Sequence, residues 1–234
     1  MSKEIEKKEY TYPGWYKEKG VLIDGEKDGL WTTLYEDGTK EEYNFKDGII
    51  EGKMISWYNS GEKKEQYYYI KGKKDGLWTM WYKDGSKHME GNYKDGYLYG
   101  EYYHWNEKGI KYLEENFKKG FFHGKCTYWN RDGDKKSEDN FKEGIREGKY
   151  TSWFTYGKKN KEYECYYIDG YRNGTFIRWN SNEIKIREGK YKDGKEDGLW
   201  TYYYENGQKS SEVTYKDGRK ISLEEWNEDG SVKE

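Results

Sequence analysis

Three histidines, His88, His104 and His123, are the residues best suited to hold a metal or move a proton. They sit at different offsets in the chain, with no cysteine or histidine partner at ligand spacing. A structural zinc site needs four closely organised ligands, so we read the three as incidental surface or half-buried side chains. The many Asp-Gly pairs could point to calcium, but an EF-hand loop gathers several oxygen ligands within about 12 residues. Each pair here offers one aspartate, as a turn residue does. The chain has no Gly-x-Ser-x-Gly, no Cys/His constellation and no phosphate-cradling loop. Glutamate is abundant, yet Glu42, Glu90, Glu114, Glu138, Glu164, Glu188 and Glu212 recur at one offset, with Gln66 as the exception. A catalytic carboxylate pair would differ from its counterparts; a repeated one is expected to form a ladder with lysines or tyrosine hydroxyls. The expectation is no catalytic residue, no metal, no cofactor and no enzyme.

Charge excludes a further class. Lysine and arginine number 43 against 45 aspartates and glutamates, for a net charge of −2. Interleaved charges of this kind leave no basic footprint for nucleic acid. Lys63, Lys87, Lys111, Lys135, Lys161, Lys185 and Lys209 do recur at one place. On one edge they could favour phosphates or anionic lipids, but a solvated edge that blocks strand-to-strand aggregation is the simpler reading.

These regularities come from a repeat. One glycine opens each unit, at Gly29, Gly52, Gly76, Gly100, Gly124, Gly148, Gly174 and Gly198, in steps of 23 to 26 residues. A second lies nine residues on in seven units; the seventh unit has Asn182 near that place. A third closes each unit, at Gly48, Gly72, Gly96, Gly120, Gly144, Gly170, Gly194 and Gly218. Periods of about 20–50 residues mark repeat architectures. Each unit reads as a β-hairpin. In the third, Leu77 to Tyr82 is an aromatic-rich arm, Asp84-Gly85 turns it, and Asp95-Gly96 turns the chain into the next unit. Glycine tolerates the positive φ that tight hairpins require, with Asp or Asn its usual partner.

Five residues after the opening glycine stand Trp57, Trp81, Trp105, Trp129, Trp153 and Trp179. A large ring can bury about 150–250 Å², so these six are expected to stack from hairpin to hairpin and replace the missing aliphatic core. The pattern Gly-Leu-Trp-Thr-x-Trp-Tyr-x-Asp-Gly, followed by Glu-x-x-Tyr-Lys-Asp-Gly, resembles the variant MORN repeat over roughly residues 25–218. That resemblance implies a bacterial hairpin-repeat scaffold, and many proteins of this kind carry the label YwqK-type antitoxin. It implies a protein partner, in one version a toxin held and neutralised.

The fold expected is all-β: an elongated, open antiparallel meander of about eight 24-residue hairpins, with essentially no helix. Mean hydropathy is −1.42, which alone would hint at disorder, but the low net charge and the 20% aromatic content oppose it. We place a charged tail over 1–12, a capping half-repeat over 13–28, the repeats over 29–218 and a capping strand over 219–234. Cys126 and Cys165 are too few for a disulfide framework. With no apolar segment in MSKEIEKKEY, cytoplasmic placement is expected; a secreted or surface location would require a signal peptide already removed.

The residues that join one unit to the next differ among themselves. Most joins are polar, such as Lys73-Lys74-Asp75 and Lys195-Glu196-Asp197. Ile49-Ile50-Glu51, Tyr97-Leu98-Tyr99 and Phe121-Phe122-His123 are apolar at equivalent places. Ile49, Ile50, Tyr97, Leu98, Tyr99, Phe121 and Phe122 are therefore the candidate partner-binding residues, unless they fold over the sheet and complete the core. A carbohydrate or cell-surface module and an anionic-membrane binder are the alternative functions. The first lacks support in the second-arm motif, and the second is weakened by near-zero net charge.

Overall fold

A computed structural model describes residues 3–157 and 159–233. The described residues form an open antiparallel β-meander and include no helix, as the glycine spacing predicts. It divides into two compact units, Met1–Lys111 with Asn116–Phe121, and Tyr112–Glu115 with Phe122–Glu234.

The first unit begins where the sequence led us to expect a tail. Ile5–Tyr12 is instead a strand, paired along its length with Tyr16–Ile23. Full-length pairing explains it: every residue from Ile5 to Tyr12 has a partner on the neighbouring strand, and Tyr10, though exposed, stacks on Trp31 at 6.3 Å. Tyr16–Ile23 pairs with Glu26–Tyr35, and hairpins follow through Lys40–Lys46, Ile49–Trp57, Lys63–Ile70, Gly76–Trp81 and Lys87–Lys94 to Tyr97–Trp105. In the second unit, Gly124–Trp129 and Lys135–Lys142 open the same series. Arg219–Glu225 closes it against Lys209–Lys216. Charged outer strands protect a sheet from edge-to-edge pairing.

The core lies two residues after each opening glycine, not five. Trp31, Met54, Trp78, Cys126, Phe176 and Trp200 occupy that place and are buried; Tyr102 and Tyr150 are half-buried. Trp78 is sandwiched between Tyr67 and Tyr102, each with ring centroids 5.7 Å away. In the second unit, Tyr163, Phe176 and Trp200 follow one another at 5.9 and 5.6 Å. The six tryptophans expected to form the stack lie three residues further on. Three is odd, and side chains alternate along a strand, so these rings point to the opposite face. They are half-buried, and lysine ammonium groups cover several of them. Lys40 Nζ lies 3.8 Å from the Trp57 ring, Lys87 Nζ 5.3 Å from Trp105 and Lys135 Nζ 5.1 Å from Trp153. The same lysines meet the repeated glutamates, as in Lys87–Glu90 at 2.7 Å and Lys135–Glu138 at 2.6 Å. The second face is thus a ladder of tryptophan, lysine and glutamate.

Two further features hold neighbouring repeats in register. Tyr58 and Tyr82 hydroxyls donate to the Trp81 and Trp105 carbonyls, each at 2.8 Å. Large core rings also lie flat on glycines of the neighbouring arm. A β-carbon on Gly91 would sit 2.7 Å from Tyr102, and one on Gly189 would sit 2.2 Å from Trp200.

Candidate functional site

The turns that close the repeats build one margin of each unit. Both residues of each such turn have positive φ, for example Asp95 (53°) with Gly96 (89°) and Lys119 (52°) with Gly120 (81°). That is the two-residue hairpin turn matched to strand twist. The closing glycine N–H donates to the middle join residue of the repeat before: Gly72 to Ile50, Gly96 to Lys74 and Gly120 to Leu98, at 2.8–2.9 Å. In the second unit Gly144, Gly170, Gly194 and Gly218 bond Phe122, Arg146, Arg172 and Glu196 in the same way.

Each join then presents alternate residues to opposite faces. The middle residue turns to the core face. Ile50 stands opposite Phe45, and Leu98 opposite Tyr93, both core-face rings. Phe122 packs on Phe141 with centroids 5.2 Å apart. Lys74 does the same with a charge: its ammonium sits 3.4 Å from the Tyr67 ring, and burial lowers its pKa from the ordinary lysine value. The first residue turns outward and covers the next closing glycine. Ile49 lies over Gly72, Tyr97 over Gly120, Ile145 over Gly170 and Tyr171 over Gly194; Lys195 covers Gly218 equally well. Covering a glycine therefore requires no apolar residue.

Of the seven candidates read from the sequence, the structure brings Tyr97, Tyr99 and Phe121 into one groove. Lys94, Asp95, Lys118 and Lys119 complete its lining, around a volume of about 650 Å³. All seven lining residues belong to the first unit. Tyr97 and Phe121 are about 60% exposed, and Lys94 Nζ lies 5.5 Å from the Tyr99 ring. Three lysines and one aspartate share the lining. Ile49 is outward on the same margin but does not line this groove, while Ile50, Leu98 and Phe122 face the core. Ile145 and Tyr171 are exposed at the equivalent first-join place in the second unit. Sequence reasoning missed them because it sought wholly apolar joins, although only alternate residues face out. An arrangement of aromatic walls and flexible cations can recognise an apolar side chain beside an anion.

Two of the three histidines, His88 and His104, are less scattered than their offsets imply. His88 stacks on Tyr82 at 4.2 Å and meets His104 at 6.0 Å; His104 Nε2 lies 2.7 Å from the Tyr102 hydroxyl. Burial, and then the neighbouring His88, push the His104 pKa down to about 4; burial also lowers that of His88. The unfolded chain then binds more protons than the folded one below pH 6.5, so stability falls with pH between about 6.5 and 4. We expect His104→Gln to flatten that part of a melting-temperature profile; an unchanged slope would show that His104 does not titrate this way. Among the described residues, no three of His, Cys, Asp and Glu gather into a possible metal site.

The family described as the MORN repeat variant matches residues 74–95 and 196–217, the third and eighth repeats with the joins that precede them. No curated protein matches the chain.

Proposed function

We propose that this chain of MORN-variant repeats is a non-enzymatic scaffold that binds a partner protein in the groove of Tyr97, Tyr99 and Phe121. Repeats of this kind are protein- or membrane-binding scaffolds. Contrast between equivalent positions supports the protein reading. Lys195 and Tyr97 do the same structural work over a closing glycine, yet one is charged and the other an exposed ring. Exposed rings gathered in a groove are the usual form of an interface anchor. A toxin as the partner, held and neutralised, is the finer form of this reading and rests on the resemblance alone. An anionic lipid surface is the second reading, favoured by the ammonium groups of Lys94, Lys118 and Lys119.

The test pairs stability with capture. Tyr97→Ser with Phe121→Ser should move the melting temperature by no more than about 2 °C, because both rings are exposed. A photo-crosslinker at position 97 should trap a protein in the source cell that one at position 73 does not trap, and the double variant should no longer bind it. Unfolding of the double variant would place the rings in the core. Sedimentation with phosphatidylserine vesicles, without a crosslinked protein, would favour the lipid reading.

A further inference from the structure

The closing turn at the groove lacks a partner that five of the other seven possess. In five equivalent closing turns, the N–H of the first turn residue is capped by a side-chain carboxylate from the join before. Glu51 Oε2 lies 2.6 Å from Lys71 N, Asp75 Oδ2 3.1 Å from Asp95 N, and Glu147 Oε2 3.0 Å from Asp169 N. Asp28 and Asp197 do the same for Asp47 and Asp217. At the groove the capping place is held by Tyr99, which has no carboxylate; His123 and Asn173 hold the same place before the Glu143 and Asp193 turns, and only at Tyr99 does it adjoin the aromatic groove. Among the described residues no side chain caps the Lys119 N–H. The open position lies at the rim of the apolar walls, with the Lys118 and Lys119 side chains on the same turn.

We infer that the partner supplies the missing carboxylate. An aspartate or glutamate side chain, or a chain terminus, docks on the Lys119 N–H as Glu51 docks on that of Lys71. An adjacent apolar side chain enters between Tyr97 and Phe121. This rests on the groove being a protein-binding site and names the chemistry of what it binds. The fold itself provides the template, since the same turn accepts a carboxylate five times elsewhere in the chain. The surplus of ammonium groups around the groove complements that charge.

The test uses the full chain and an array of short peptides, each with one central aspartate between leucine and phenylalanine residues, beside asparagine twins. Aspartate peptides should bind about tenfold more tightly than their twins, as expected for one charge-assisted hydrogen bond. Tyr99→Glu places a carboxylate where Glu51 and Glu147 stand. It should abolish the discrimination without lowering the melting temperature. Tyr99→Gln, which removes a groove wall but adds no charge, should weaken both peptides alike and leave their ratio near tenfold. Equal binding of both peptides, lost in the Tyr97→Ser, Phe121→Ser variant, would overturn the carboxylate inference and leave the groove as a protein site. Discrimination that survives Tyr99→Glu would also overturn it, by placing the charge reading elsewhere. Binding of neither peptide, with phosphatidylserine vesicles bound instead, would overturn the inference together with the reading beneath it.

Discussion

Trp200→Ala is expected to destabilise the second unit by about 3–5 kcal/mol, the usual cost of truncating a fully buried large ring. Trp200 is 0% exposed. Its Nε1–H donates to the Lys190 carbonyl at 3.1 Å. Tyr191 meets it edge-on at 4.9 Å, Phe176 lies at 5.6 Å, and the Arg187 guanidinium sits 4.3 Å from its ring. The arm beneath the ring carries Gly189, which has no side chain to move into the space. Trp153→Ala provides the contrast. That ring is half-buried and faces Lys135, so its loss should cost about 1–2 kcal/mol, part of it the cation–π contact. Urea denaturation followed by circular dichroism measures both. Equal losses would mean that the two faces of the sheet contribute alike.

Gly189→Ala should be nearly as damaging although it adds one methyl group. The new carbon would lie 2.2 Å from Trp200 Cδ2 and 2.5 Å from Cε2. The ring is held on its other side and by its own hydrogen bond, so the strand must move. Overpacking of this kind costs about 1–3 kcal/mol and occasionally more, and we expect the upper end. The decisive measurement is the double variant. With Trp200 replaced by alanine, Gly189→Ala should cost almost nothing further, because the clash has gone; additive losses would show that Gly189 matters for its backbone alone.

The hairpins, their turns and the lysine–glutamate ladder were legible because each repeats in identity. The core was not, for a physical reason. On the tryptophan–lysine face every ring has the same kind of neighbour, so selection for that contact repeats the residue. On the core face, what must be preserved is the volume between neighbouring arms. Trp78 lies opposite Gly91, Phe176 opposite Gly189, and Met54 opposite Tyr67. Large and small residues exchange places from repeat to repeat, and Cys126 even faces the buried Asp139, which pairs with Arg146 at 2.7 Å. A conserved sum leaves no conserved letter. The groove was half legible. Tyr97, Tyr99 and Phe121 were visible as departures from polar joins, but the inward turn of Leu98 and Phe122 follows from strand alternation through the join. The lysines that frame the groove look, in sequence, like any other turn lysines.

The two margins of the sheet differ in how much length change they can absorb. At the mid-repeat turns the chain closes with a single pattern, Tyr58 N–H to the Glu62 carbonyl. The sixth repeat makes the same closure from Phe154 to Asn160, two residues longer. Doubling a loop costs only about 0.6 kcal/mol in closure entropy. At the opposite margin, each closing turn is tied through its glycine N–H to the preceding join, and an inserted residue would break that tie and shift the cover over the glycine. Insertions, tags and grafted loops are therefore tolerated on the first margin and excluded from the second. The groove of Tyr97, Tyr99 and Phe121 lies on the second. Its dimensions are insulated from the commonest kind of evolutionary drift in a repeat protein, and the first margin is the natural place to attach a reporter without disturbing what the groove holds.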